Sequence, residues 1–198
     1  ITAFGVASSP SLMMTIFQTP AIMWGLIIAE LAIVIAISAA INRLSLTTAT
    51  LLFVLYSVLN GATLSLIFAV YTMSSIANVF FITAGTFGVM AAYGYFTKRD
   101  LSSWGRLLLM ALIGLIIATL VNVFLVKSSG FDLILSYAGV LIFVGLTAYD
   151  TQKIKQMLAM QTDMGEGAQK VALLGALSLY LDFINLFLYL LRIFGRRE

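Results

Sequence analysis

From Leu44 to Thr97 the chain carries no charged residue at all. Such a run offers no polar cover for a water-soluble fold. It must be solvated by lipid, with its backbone amides satisfied by helical hydrogen bonds. It is long enough for two spans of about 20 residues each. Composition extends the point to the whole chain. Of 198 residues, 62% are hydrophobic and 10% charged, against about 25% charged in a soluble domain. The expected fold class is all-α: a polytopic membrane protein, one transmembrane helical domain over residues 1–198.

Absences narrow the chemistry. There is no cysteine and no histidine. Disulfides, thiol chemistry, imidazole metal sites and histidine pH switches are therefore excluded, and any pH sensing falls to carboxylates. The net charge of +3 is a topology signal, because the basic residues are scattered and no nucleic-acid patch forms. Gly85 and Gly88 lie inside an apolar span and make no phosphate loop. No metal-ligand spacing and no nucleophile elbow is present. An enzyme is not expected and neither is a resident cofactor. Intramembrane acid proteases use two aspartates, but the Tyr149-Asp150 and Leu181-Asp182-Phe183 contexts lack the glycine-rich second site of such enzymes.

Residues 1–9 are apolar but too short to span, and they read as the end of a truncated first helix. Ser8-Ser9-Pro10 breaks it, and Ser11 to Pro20 reads as a loop or short interfacial helix. Further spans are expected at about 21–40, 47–70, 76–96, 104–126, 131–152 and 171–193, which makes seven in all. Glu30 sits near the centre of the first of these. Ser57 and Asn60 share a face of the next. The glycines and alanines of 76–96 are a packing signal. Lys153 to Lys170 reads as a surface loop, in which Asp163 and Glu166 do not meet calcium-loop spacing.

The last span, Val171 to Ile193, has an aspartate in its middle. An acid at that depth costs about 2.5–3.5 kcal/mol on insertion scales. Gly175, Ser178, Asp182, Asn185, Tyr189 and Arg192 follow 3, 4 spacing and form one polar stripe on an apolar helix. That face turns inward, to a bundle or to water. Ser178 and Asn185 on it are read either as interhelical glue or as lining of an ion path with Asp182 and Glu30. Thr147 and Asp150 share a face of the 131–152 span, where Asp150 alone reads as an interfacial acid.

Alternating spans put Arg43, Lys98, Arg99, Arg106, Lys153, Lys155 and Lys170 on one side, which the positive-inside rule makes cytoplasmic. Lys127 and the tail arginines fall on the other. A re-entrant last helix would bring the tail back, but 171–193 is long enough for a full span, which is the expected arrangement.

Three segments resemble the Bax inhibitor family of membrane proteins: AYDTQKIK (148–155), SLYLDFINLFLYLLRIFG (178–195) and TKRDLS (97–102). The likeness extends over essentially the whole chain and points to bacterial inner-membrane members. It implies seven helices, the last central and wrapped by the other six, and a pH-sensitive calcium leak. It implies that Asp150 and Asp182 share a proton, that Glu30 lines the pore, and that Arg43 pairs with the aspartates in gating. Two apposed carboxylates suit this role. They cannot both ionise cheaply, so losing the shared proton favours an open, wetted state. Oxygen ligands suit calcium, with Glu30, Asp150 and Asp182 as the candidate set. The expected partners are the bilayer, calcium and protons, with the protein a monomer and no nucleic acid bound. The alternative is a subunit that binds a membrane protease or stress and cell-death machinery without transport. A proton-coupled transporter ranks third, for want of paired helix breaks.

Overall fold

Pro10 and Pro20 stand at helix starts, where a missing N–H costs nothing. The computed structural model describes residues 2–161 and 165–196. In it these prolines open α2 (Pro10–Gln18) and α3 (Pro20–Ala40), after a short α1 (Thr2–Ala7). The Ser45 hydroxyl accepts from the Thr48 amide at 3.1 Å and caps α4 (Leu46–Leu64). After α5 (Ile67–Val70) and α6 (Met73–Phe96), the Asp100 carboxylate accepts from the Ser102 amide at 2.9 Å ahead of α7 (Ser102–Val121). Donation by the Ser102 side chain and amide holds the Asp100 carboxyl below its ordinary range. Ser128 caps α8 (Ser129–Ala159), and α9 (Glu166–Phe194) follows.

Among the described residues, six stretches are long and apolar enough to cross a membrane: Pro20–Ala40, Leu46–Val70, Met73–Phe96, Ser102–Val126, Ser129–Ala159 and Glu166–Phe194. They match the expected spans in place and order. Large exposed apolar side chains such as Ile35, Phe81, Ile113 and Leu141 mark lipid-facing surface.

Three local features differ from expectation. The stretch from Lys153 to Lys170 is mostly helix. Here α8 runs on to Ala159 and α9 already begins at Glu166. Polarity suggested a loop, yet Lys, Gln and Met are good helix formers. A Glu166–Lys170 pair at 2.9 Å supports the first turn of α9. Asp163 and Arg197 lie outside the described residues.

The span over 47–70 is also interrupted. Buried Ser65 donates its hydroxyl to the Ala62 carbonyl at 2.6 Å, and its amide bonds the same carbonyl at 3.2 Å. This turn separates α4 from α5, and no proline or glycine announces it.

Finally, α7 ends in a π-helical turn, Asn122–Val126. The Asn122 side chain donates to the Ser128 carbonyl at 3.2 Å and accepts from the Ser128 amide at 3.0 Å. That clamp holds Lys127 in a left-handed conformation, φ 51°.

The chain divides into two compact units. Among the described residues the first comprises 2–76, 165–174 and Arg196, and the second 77–161 and 175–195. In the first, Phe4 meets Phe68 edge-to-face at 6.1 Å, and Thr2 closes on Gly61 of α4. Arg196, two residues past α9, is tied to the start of α6. The Thr72 amide donates to the Arg196 carbonyl at 3.2 Å, and the Arg196 amide donates to Ser75 Oγ at 2.9 Å.

In the second unit, helices meet where glycine stands opposite a larger group. Gly94 of α6 lies against the Ala148 backbone of α8, Gly105 of α7 against the Tyr149 ring, and Gly145 of α8 against Leu108. Small residues let membrane helices approach this closely. Of the glycines of α6 only Gly94 does so; Gly85 and Gly88 face open space. Phe80 and Phe87 of α6 pack edge-to-face on Phe183 of α9, with centroids 5.6 and 5.4 Å apart.

The TKRDLS turn is held to α8 by one side chain. Buried Gln152 accepts from the Leu101 amide at 2.9 Å and donates to the Arg99 carbonyl at 2.8 Å. Gln152→Ala strands a buried amide and a carbonyl, each worth about 1–3 kcal/mol. Thermal unfolding in detergent is expected to show a loss of roughly 2 kcal/mol or more, while Gln156→Ala, one turn further along α8, is expected to sit within about 0.5 kcal/mol of wild type.

Candidate functional site

The stripe on α9 is a buried face. From Leu177 to Ile193 no residue of α9 is exposed, and Leu177, Leu186 and Leu191 are almost wholly covered. A helix so enclosed can carry an acid only if neighbouring helices supply what lipid cannot. Asp182 is 4% exposed, and its Oδ2 has no hydrogen-bond partner among the described residues. Buried polar atoms are nearly always paired, so an orphan of this kind calls for a functional reason.

Packing of α8 on α9 supplies one. A Cβ at Gly175 would lie 2.9 Å from the Ile154 side chain, and one at Gly139 would lie 2.7 Å from the Tyr189 ring. Those two crossings fix an antiparallel register. Residue 150 then falls opposite the 178–182 turn, and Asp150 stands close enough to act electrostatically on Asp182. Phe143 stacks on Tyr189 at 5.9 Å along the same seam.

The extension of α8 matters here. With 31 residues it is about 46 Å long, well beyond a hydrocarbon core of about 30 Å. Asp150 stands in the C-terminal half of this helix, ahead of the polar run from Thr151 to Gln156. It lies more than two turns inside the helix, half-buried, with Lys153 one turn further on and within electrostatic reach.

The other expected residues separate. Glu30 is half-buried in the first unit, where its carboxylate accepts from Asn60 Nδ2 at 3.1 Å and from Thr63 Oγ1 at 2.5 Å. That is an interhelical bond between α3 and α4. Asn185 donates to the Leu181 carbonyl of its own helix at 2.8 Å, while Ser178 is half-buried. Arg43 is exposed in the turn after α3 and belongs to the first unit, whereas Asp150 and Asp182 belong to the second. Among the described residues no three acids gather closely enough to hold a metal ion. Asp150 and Asp182 belong to the same unit, within electrostatic reach of each other.

Sequence reasoning missed one ion pair. Arg192, the last member of the stripe, meets Asp132 in the first turn of α8 at 3.1 Å and lies 5.5 Å from the Tyr189 ring centroid. The stripe held the signal, since an arginine on a buried face needs an acid. This pair joins the end of α9 to the beginning of α8. Unbroken over 29 residues, α9 is long enough for the full span expected of it.

The comparisons with known proteins agree with this architecture. The family model described as "Inhibitor of apoptosis-promoting Bax1" matches residues 1–198. The chain belongs to the Bax inhibitor family. Within that family it is 55% identical over 197 residues to the inner membrane protein YbhL of Escherichia coli, covering 99% of this chain and 84% of the relative. It is 48% identical over 198 residues to a protein of Borreliella burgdorferi, covering 100% and 85%. It is 40% identical over 188 residues to a membrane protein of Streptococcus pyogenes, covering 95% and 80%. This Bax inhibitor family member is a multi-pass protein of the inner membrane.

Proposed function

We propose that the protein is a pH-sensitive leak channel for calcium, closed by a proton that Asp150 and Asp182 share. The bundle has seven spans on this reading, with α9 at the centre. The observation that carries it is Asp182, buried on the seam between α8 and α9 within electrostatic reach of Asp150, its Oδ2 without a hydrogen-bond partner among the described residues. One proton between two carboxyl groups turns a repulsion into a hydrogen bond. It then ties α8 to α9 across the path. When the proton leaves, two like charges face each other with few neighbours to neutralise them. Lys153 is the nearby cation, and it offsets the charge of Asp150. Separation of the helices, with water and a cation drawn in, relieves the strain. Carboxylate oxygens suit calcium, a hard ion.

Topology fits this picture. Arg43, Lys98, Arg99, Lys153 and Lys155 fall on one side, taken as cytoplasmic. Protons there would reach the pair from the ends of α8 and α9.

The test is calcium flux into proteoliposomes between pH 5 and 8, for wild type and Asp182→Asn. Wild type is expected to leak more as pH rises, and Asp182→Asn to lose that dependence. No flux from either protein at any pH would sink the channel reading. A subunit that binds a membrane protease or stress machinery would then take its place.

A further inference from the structure

The cytoplasmic end of the second unit holds a pair of adjoining cavities that the aspartate pair does not use. The smaller, about 170 Å³, is lined by Thr97, Lys98, Arg99, Gln152, Lys155 and Gln156 among others. The larger, about 280 Å³, shares Arg99 and Asp100 with it and continues between Met90, Tyr93, Trp104 and Leu108. One is cationic and the other largely apolar and aromatic.

The three cations of the smaller cavity outnumber its one acid, Asp100, and no ion pair among the described residues engages them. The ion pairs among the described residues are Lys170–Glu166 and Arg192–Asp132, neither of which touches it. Lys155 is fixed in place, with Nζ donating to the Tyr95 carbonyl at 2.7 Å and lying 4.6 Å from the Tyr95 ring centroid. An ammonium has three donors, so two remain. Asp100, the acid of the lining, is occupied by the Ser102 amide at 2.9 Å. Exposed Tyr93, Tyr95 and Trp104 surround the mouth. Amphipathic rings of this kind settle at the level of lipid headgroups.

We propose that these cavities together bind one anionic phospholipid. Its phosphodiester sits among Lys98, Arg99 and Lys155, and an acyl chain lies along Met90, Trp104 and Leu108. Charge selects the headgroup, because basic pockets between helices on the cytoplasmic side attract anionic lipid. The apolar cavity selects a lipid over a free anion. The site stands apart from the leak reading and survives if that reading fails.

Trp104 lines the site and reports on it. The chain has two tryptophans, so Trp24→Phe leaves Trp104 alone. This variant is reconstituted into phosphatidylcholine vesicles doped with brominated phosphatidylglycerol or brominated phosphatidylcholine. Brominated phosphatidylglycerol is expected to quench Trp104 with an apparent association about fivefold or more above that of the choline lipid. Adding Lys98→Gln with Arg99→Gln is expected to abolish the preference and leave the choline curve unmoved, which shows the fold intact. Arg43→Gln with Lys170→Gln, neither of them in the lining, is expected to preserve it. Equal curves for the two lipids would overturn the proposal. So would an equal loss in both double variants, which would mean bulk charge alone. Relief of quenching by inorganic phosphate would assign the site to a free anion and overturn the lipid assignment.

Discussion

Vesicles containing Asp150→Asn are expected to leak calcium at one low rate from pH 5 to pH 8. The asparagine amide donates to Asp182 as the shared proton did, but it cannot be titrated away. The seam between α8 and α9 then stays closed where wild type opens. The magnitude follows from like-charge repulsion. Two unit charges 4–6 Å apart at an effective dielectric near 20 repel by roughly 3–4 kcal/mol. Even half of that changes an opening equilibrium by more than about tenfold, since each 1.4 kcal/mol is a decade. Wild-type flux is therefore expected to rise at least about tenfold across this range. The variants also test the pairing itself. If the two acids act as one proton site, the double variant Asp150→Asn/Asp182→Asn is no flatter in pH than either single one. Independent acids would each remove part of the dependence, and additive losses would refute the shared proton. A glutamate at 150 that restores the pH dependence would show that carboxyl chemistry, and not packing, is what was lost.

Adding one methyl group at Gly94 is expected to weaken the second unit more than any other single methyl on α6. A Cβ there would lie 2.8 Å from the Ala148 carbonyl carbon and 2.9 Å from its Cα. These are backbone atoms of a buried turn of α8, with Thr147 and Ala148 almost fully covered, so no side chain can swing aside. α6 and α8 must separate, at a cost of about 1–3 kcal/mol for overpacking, and more for a larger residue. Gly88→Ala supplies the contrast. Nothing lies within 4 Å of a Cβ at Gly88, and alanine favours helix over glycine by about 0.5–1 kcal/mol. Thermal unfolding in matched detergent should show Gly94→Ala melting well below wild type and Gly88→Ala at or above it. Equal melting of the two variants would mean that α6 and α8 do not cross at this point.

The two glycines show how far the chain alone can be read. Both belong to the same small-residue pattern of residues 76–96, and the pattern rightly announced close packing. Nothing in it separates Gly94 from Gly88, because which face of α6 meets α8 depends on the rotation of one helix against another. Asp150 teaches the same lesson from the other side. Its chemistry was legible, but its surroundings were not. Polar residues after Gln152 looked like the start of a loop, whereas α8 continues to Ala159, and the residue that faces Asp150 depends on the α8–α9 crossings at Gly139 and Gly175. Glu30 was legible as a costly acid in a span. That its carboxylate is taken by Asn60 and Thr63 was not, since a bond between α3 and α4 has no local signature. The break at Ser65 belongs with these, because a serine hydroxyl interrupts a helix only where burial leaves it the Ala62 carbonyl as partner.

The sequence by itself determined the solvent, the helical fold and the six spans found in place and order, because the cost of bare polar groups in lipid acts on every residue locally. It also named Asp182, because an acid in mid-span is expensive wherever its neighbours are. Tertiary structure alone decided which groups share that expense. The α8–α9 register brings Asp150 to Asp182 and Asp132 to Arg192, and the Gln152 clamp draws the TKRDLS turn onto α8. Those are contacts between residues far apart in the chain, fixed by how glycines let helices close on one another, and no span taken alone contains them.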